Sequence, residues 1–175
     1  MTTSSDPLRP TFRQMICSPS LIVAQGFGSG LAPFAPGTFG SLLAWLLFPL
    51  LAALMPDPLF LLVLLVFFTG GVLVCHYAGA VLGKTDHGSI VWDEMVAVWL
   101  VLLMTPSFLL WQALAVILFR LFDILKPWPV HWADKRFKNG FGVMFDDLIA
   151  ALYAIFVLAI CVRIARYTGW TWMWH

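Results

Sequence analysis

Charged side chains are scarce in this chain. Asp, Glu, Lys and Arg make up 11% of its 175 residues, and ten basic against nine acidic residues leave a formal net charge of +1. Because no strongly basic field is present to attract a polyanion, we expect no nucleic acid partner. The three cysteines are scattered, two of them inside apolar runs, which does not fit a disulfide framework or a zinc site.

The usual signatures of covalent catalysis are also missing. No cysteine is followed six residues later by arginine, and no serine stands in a G-x-S-x-G segment. The Gly- and Pro-rich segment QGFGSGLAPFAPGTFGS, which begins at Gln25, matches neither the Walker pattern nor a dinucleotide fingerprint. A covalent enzyme intermediate is therefore disfavoured.

Apolar residues dominate what is present: 61% of the chain is hydrophobic, with a mean hydropathy of +0.91. This composition predicts an integral membrane protein, an all-α polytopic bundle of about four to five apolar helices. The apolar runs cover residues 39–55, 59–82, 90–104, 108–122 and 148–162. We expect a flexible segment at 1–24, a single membrane-embedded domain at 25–167 and a C-terminal tail at 168–175.

The order of the apolar runs predicts on which side of the membrane each polar segment lies. If all five cross, segments 25–41, 84–94 and 123–147 lie on one side, and the connectors at Asp57 and Pro106 lie on the other. The side with the long polar segments carries most of the basic residues, which predicts that it is cytoplasmic. These residues are Arg9, Arg13, Lys84, Lys126, Lys135, Arg136 and Lys138, whereas Arg163 and Arg166 lie at the opposite end.

Most of the acidic residues fall in two of these polar segments. The pairs Asp93-Glu94 and Asp146-Asp147 each stand where an apolar helix is expected to begin, and Asp123 ends another. Helix capping is one interpretation. Tandem acids on two helices also supply the hard oxygen ligands that Mg²⁺ prefers, so we favour a Mg²⁺ site. Its candidate ligands are Asp93, Glu94, Asp123, Asp146 and Asp147.

Other polar residues admit two interpretations each. Arg120 and Lys126, spaced by threes with Asp123, form either an intrahelical ion-pair ladder or a phosphate-binding face. The Gly-rich segment is either a plain membrane-entry loop, which we favour, or a phosphate cradle with donors from Gly37, Thr38 and Ser41. His87 is either a general acid or base or a hydrogen-bonded surface group. Pro127, Trp128, Pro129 and Trp132 are expected to be structural.

Several of these stretches resemble the bacterial phosphatidylglycerophosphatase A family. The matching segments are GSGLAP from Gly28, PGTFGS from Pro36, DHGSIVWDE from Asp86, FRLFDILKPWP from Phe119 and GVMFDD from Gly142. The resemblance implies a helical, Mg²⁺-dependent phosphatase of the bacterial inner membrane. Such an enzyme removes the terminal phosphate of phosphatidylglycerophosphate, a membrane lipid, to give phosphatidylglycerol.

We therefore expect water to attack the phosphate at the cytoplasmic face, without a covalent intermediate. The five acids would divide into Mg²⁺ ligands and one base, and Asp86 and His87 are further catalytic candidates. Lys84, Arg120 and Lys126 would hold the phosphate, with Gly37, Thr38 and Ser41 as donors. A CDP-lipid phosphotransferase is an alternative, although its D-G-x-x-A-R type pattern is missing, and a small ion or solute transporter is a weaker one.

Overall fold

The computed structural model describes residues 10–128, 130–131 and 139–169. All regular structure in these residues is helical, which confirms the expected all-α bundle. The elements are α1 (Phe12–Ile16), α2 (Pro19–Ala24), a 3₁₀ helix (Gly26–Leu31), α3 (Pro36–Leu54), α4 (Asp57–Leu82), α5 (Trp92–Leu103), α6 (Leu109–Leu125) and α7 (Gly140–Tyr167). The predictions for Arg9, Pro129, Trp132, Lys135, Arg136, Lys138 and the tail beyond residue 169 lie outside the described residues.

Three of the helices, α3, α4 and α7, are long and apolar enough to cross a membrane. They have 19, 26 and 28 residues, or about 28 to 42 Å at the rise of an α-helix, against a hydrocarbon core of about 30 Å. With 12 and 17 residues, α5 and α6 reach only about 18 and 26 Å. They form a hairpin inside the bundle, so the polar segments stay at one end whether or not the hairpin crosses.

The short helix α5 lies in the middle of the bundle. The indole Nε1 of Trp99 donates to the carbonyl of Ala44 in α3 at 2.8 Å, and that of Trp92 donates to the carbonyl of Phe67 in α4 at 3.2 Å. Both indoles are buried. Because each satisfies its polar N–H on a neighbouring backbone, the pair fixes α5 in depth and rotation against two membrane helices.

The structure corrects the expected loop at the Gly-rich segment. Residues 26–31 form a 3₁₀ segment that is kinked at Phe27 and Gly28, whose φ angles are positive. Helix α3 begins at Pro36, where proline is tolerated because the first helical N–H needs no intrahelical partner. Gly37, Thr38 and Ser41 are therefore helical residues rather than loop residues. Residues 12–24, expected to be flexible, form α1 and α2, which bury the apolar side chains of Met15 and Leu21.

The second acid pair also differs from expectation. Helix α7 starts at Gly140, so Asp146 and Asp147 lie two turns inside it rather than at its start. Its N-cap is Asn139, whose side chain accepts a hydrogen bond from the Gly142 N–H at 3.0 Å. Capping therefore does not explain this acid pair.

Candidate active site

The loop between α4 and α5 carries the first acidic stretch to the bundle end. It leaves α4 at Gly83, whose left-handed φ of 71° suits glycine. It returns by two backbone hydrogen bonds of 2.8 Å, from Ile90 N–H to the His87 carbonyl and from Val91 N–H to the Ala24 carbonyl. The second bond ties the loop to α2, so the loop approaches α5 in a set direction.

Four separate parts of the chain meet at one cavity of about 270 Å³, which we call the acid cavity. They are the α4–α5 loop, the first turn of α5, the last turn of α6 and the second turn of α7. Six carboxylates line this cavity: Asp86, Asp93, Glu94, Asp123, Asp146 and Asp147. The bundle thus gathers all five predicted metal ligands and the predicted catalytic Asp86.

Two cations bridge these acids. Arg120 Nη1 lies 3.0 Å from Glu94 Oε1 and 2.8 Å from Asp123 Oδ2, and it therefore ties α5 to α6. Lys126 Nζ lies 2.7 Å from Asp146 Oδ2 of α7. Of the two interpretations of this face, the ion-pair ladder is present at Arg120–Asp123. Lys126, which follows α6 in the left-handed conformation, reaches Asp146 on α7.

Two of the remaining acids, Asp93 and Asp147, are buried without such a cation, whereas Asp86 is exposed. Asp93 and Asp147 are 7% and 4% exposed, and neither has an ion pair within the described residues. Their neighbours' backbones supply little: Asp93 Oδ1 accepts the Glu94 N–H at 3.0 Å, whereas Asp147 Oδ2 and Glu94 Oε2 have no hydrogen-bond partner among the described residues. Buried carboxylates of this kind require a further positive charge or a proton.

Burial and mutual repulsion both favour protonation. Burial raises the pKa of Glu94 to about 7, even though the Arg120 charge opposes the shift. Burial raises the pKa of Asp93 as well, with the Glu94 charge adding to the effect. The acids of α5 therefore hold protons more tightly than ordinary carboxylates unless a cation is nearby.

Mg²⁺ fits the chemistry of these donors, because it takes carboxylate oxygens and leaves positions for water and phosphate. The unpartnered oxygens of Glu94 and Asp147 are the atoms with most to gain from a cation. Within the described residues, however, no three His, Cys, Asp or Glu side chains are grouped so that they could hold a metal ion. The acids line one cavity without three of them converging on a single point.

The predicted phosphate donors occupy other places. Gly37 packs on the Glu94–Arg120 ion pair, because a Cβ there would collide with Glu94 Oε1 and lie 2.9 Å from Arg120 Nη2. Ser41 is fully buried, and its Oγ has no partner among the described residues. Thr38 is half-buried in α3, and Lys84 is exposed on the loop. These four residues do not line the acid cavity.

His87 turns to a second cavity, described below, and two residues that the sequence patterns did not single out accompany it. Ser89 Oγ lies 2.8 Å from His87 Nδ1, and the buried Gln25 donates to Ser89 Oγ at 3.3 Å. In the sequence, the only indication of this contact is that the polar Gln25 directly follows the apolar Ala24.

Fold and site together define a helical membrane enzyme in which six acids and Lys126 line one cavity. The family model of phosphatidylglycerophosphatase A matches residues 22–162. This chain belongs to the phosphatidylglycerophosphatase A family.

Its relatives carry two different names. The chain is 44% identical to the phosphatidylglycerophosphatase A of Haemophilus influenzae, over 89% of this chain and 94% of that one. It is 40% identical to the enzyme of that name from Escherichia coli, over 83% and 85%. It is also 40% identical to a putative phosphatidylinositol-3-phosphatase of Bacteroides thetaiotaomicron, over 80% and 91%. No solved structure matches.

Proposed function

We propose that this chain hydrolyses the terminal phosphate of phosphatidylglycerophosphate, giving phosphatidylglycerol and phosphate, and that it requires Mg²⁺. The observation that carries the proposal is the acid cavity at one end of the bundle, which six carboxylates and Lys126 line while Arg120 bridges two of those carboxylates. The names of two relatives supply the substrate. The lipid tails stay in the bilayer of the inner membrane, and the headgroup enters from the cytoplasmic face.

A phosphate monoester is dianionic and resists attack, so catalysis must neutralise its charge and position a water. Arg120 and Lys126 are the cations at hand, and each must exchange a carboxylate partner for phosphate as substrate enters. Asp93 and Asp147 lack a cation among the described residues, so we assign one of them to accept the proton of the attacking water.

Asp93, Glu94, Asp123, Asp146 and Asp147 are the residues that would hold Mg²⁺. A bound Mg²⁺ would supply positive charge to the phosphate oxygens and to the buried acids. Because water is the nucleophile, no residue of the chain forms a bond to phosphorus.

The name of the Bacteroides relative favours a second candidate substrate, phosphatidylinositol 3-phosphate. Both lipids carry a phosphate monoester on a polyol, which is itself joined to the lipid through a phosphodiester. The same cavity chemistry therefore serves either substrate. The polyol between the two phosphates decides which of the two lipids is hydrolysed.

Phosphate release by purified protein from each of the two lipids, with Mg²⁺ and with a chelator, tests the proposal. We expect release from phosphatidylglycerophosphate that stops on chelation and returns with added Mg²⁺. The proposal is falsified if wild-type protein releases no phosphate from this lipid, and the Mg²⁺ requirement is wrong if chelation has no effect.

A further inference from the structure

A chain of polar side chains lies next to the acid cavity. Gln25 is fully buried, and its Nε2 donates to Ser89 Oγ at 3.3 Å. Ser89 is 5% exposed, and its Oγ lies 2.8 Å from His87 Nδ1. Buried polar groups of this kind cost free energy unless they are paired, so the chain has a structural or functional reason to be there.

The hydrogen bonds fix which nitrogen of His87 carries the proton. The backbone N–H of Ser89, which can only donate, lies 3.2 Å from His87 Nδ1. Nδ1 is therefore an acceptor, and the proton of the neutral ring is on Nε2. Gln25 Nε2 donates to Ser89 Oγ, while Gln25 Oε1 has no partner among the described residues. Because Nδ1 accepts, the hydroxyl proton of Ser89 points at His87.

The Nε2–H of His87 has no partner among the described residues. The ring lines a second cavity of about 300 Å³, which we call the histidine cavity. The segment 30–36 forms its other wall, including the N-terminal end of α3 at Pro36, where the helix dipole favours an anion. Gly88 lines both this cavity and the acid cavity, so the two are neighbours.

The histidine cavity is chemically different from the acid cavity. Burial, together with the charge of Lys84, lowers the pKa of His87, so the ring is a neutral donor near pH 7. One neutral N–H and a helix end suit an anion of low charge. A dianionic monoester is better served by the cations of the acid cavity.

We propose that the histidine cavity binds the phosphodiester of the lipid headgroup through His87 Nε2–H, and that Gln25 and Ser89 are positioning residues that hold His87 in that tautomer. The inference rests on the proposed function, because it needs a substrate with a monoester and a diester on either side of a polyol. The terminal phosphate then occupies the acid cavity, and the polyol passes Gly88.

Steady-state kinetics on two lipids test this assignment. Phosphatidylglycerophosphate has both phosphate groups, whereas phosphatidic acid has a monoester and no diester. Loss of a hydrogen bond to a charged group should raise KM for phosphatidylglycerophosphate by about 10- to 100-fold in His87→Asn. We expect kcat to be unchanged, and both constants for phosphatidic acid to be unchanged.

The choice of variants separates loss of the Nε2–H donor of His87 from a general effect on the fold. His87→Gln places an amide nitrogen near the position of Nε2 and should retain most of the affinity, whereas His87→Asn places it near Nδ1. Gln25→Met removes the buried donor at similar volume and should raise KM for phosphatidylglycerophosphate, as should Ser89→Ala. Ser18→Ala is the matched control, because it removes a hydroxyl from the Ser18–Ser20 pair outside this chain of contacts.

Nitrogen NMR of histidine-labelled protein gives a second measurement. The signals lost in His87→Gln should show the Nε2-protonated neutral ring in the wild type, and Gln25→Met should shift them towards a tautomer mixture. Equal losses of affinity for both lipids, an unchanged KM in His87→Asn, or a Nδ1-protonated ring would overturn the inference. Absence of activity on phosphatidylglycerophosphate in the wild type would instead overturn the proposed function.

Discussion

At the scale of single residues, the acid cavity is defined by an excess of carboxylates over cations. Arg120 and Lys126 account for Glu94, Asp123 and Asp146, while Asp93 and Asp147 lie buried beside them. Such an arrangement is costly for stability alone, because unpaired buried charge is unfavourable. We infer that these residues are there for chemistry.

Charge removal at the two buried acids is the direct check on that inference. Asp93→Asn and Asp147→Asn should each reduce phosphate release from phosphatidylglycerophosphate by at least about 100-fold, because each removes a base or a cation ligand. Asp57→Asn, the same change at an exposed position at the start of α4, should leave release unchanged. Equal activity in all three variants would contradict the assignment.

Glu94 makes the stability of cation-free protein depend on pH. Its pKa in the folded chain, about 7, lies above the ordinary value of 4.5, so the folded state binds this proton more tightly than the unfolded state. The stability from this group is present below pH 4.5 and is lost as pH rises through 7.

Thermal unfolding in chelator should therefore give a melting temperature that falls between about pH 5 and pH 8. Mg²⁺ should raise the melting temperature more at the upper end of this range than at the lower end, since metal binding competes with the proton. Glu94→Gln should flatten the pH dependence. A melting temperature that rises over this range in chelator would show that the sign is wrong.

At the scale of elements, close helix contacts hold the acids in position. Gly37 of α3 lies against the Glu94–Arg120 pair, and Gly140 of α7 lies against the α4 backbone, where a Cβ would come within 2.7 Å of His76 N. Glycine is needed at both places because the neighbouring helix leaves no room for a side chain. The Gly37 contact sets the distance of α3 from α5 and α6 at the cavity, and the Gly140 contact sets the distance of α7 from α4.

Adding one methyl group tests this packing. Gly37→Ala should displace the ion pair and reduce activity by at least about tenfold, because an overpacked contact costs about 1–3 kcal/mol. Gly70→Ala in α4 is the matched control, since nothing lies within 4 Å of its Cβ position. Phosphate release by both variants, at matched amounts of folded protein, decides between local displacement and a general effect of alanine.

At the scale of the whole molecule, one end of the bundle is rich in polar side chains and the other end has few. The acid cavity, the α4–α5 loop and the last turn of α6 share the first end. The α5–α6 connector and Arg163 share a cavity at the other. We therefore expect the headgroup of the proposed substrate to reach the acids from one side of the membrane.

Labelling of intact cells with a membrane-impermeant thiol reagent tests which side this is. In protein without Cys17, Cys75 and Cys161, a cysteine introduced at Asp57 should be labelled from outside. A cysteine at Gly88 should be labelled only after the cells are broken. Labelling of Gly88→Cys in intact cells would place the active site on the outer face.

Much of this architecture follows from the order of apolar and polar stretches. Five apolar runs predicted about four to five helices. An even number of crossings between polar segments predicted that those segments meet at one end. The helix starts were harder to predict. Residues such as Gly37 and Gly140 are typical of loops in isolation, and only close packing against α5 and α4 makes them helical contact positions.

Composition and hydrophobic runs by themselves determined that this protein is a helical membrane bundle with its acids at one end, because burial of apolar side chains is read directly from sequence. Only the tertiary structure decided that Arg120 also pairs with Glu94 and that Lys126 pairs with Asp146. It alone also joined Gln25 to Ser89, which lie 64 residues apart. Such contacts depend on the distance between packed helices and on their rotation, and a local sequence pattern does not predict either of these.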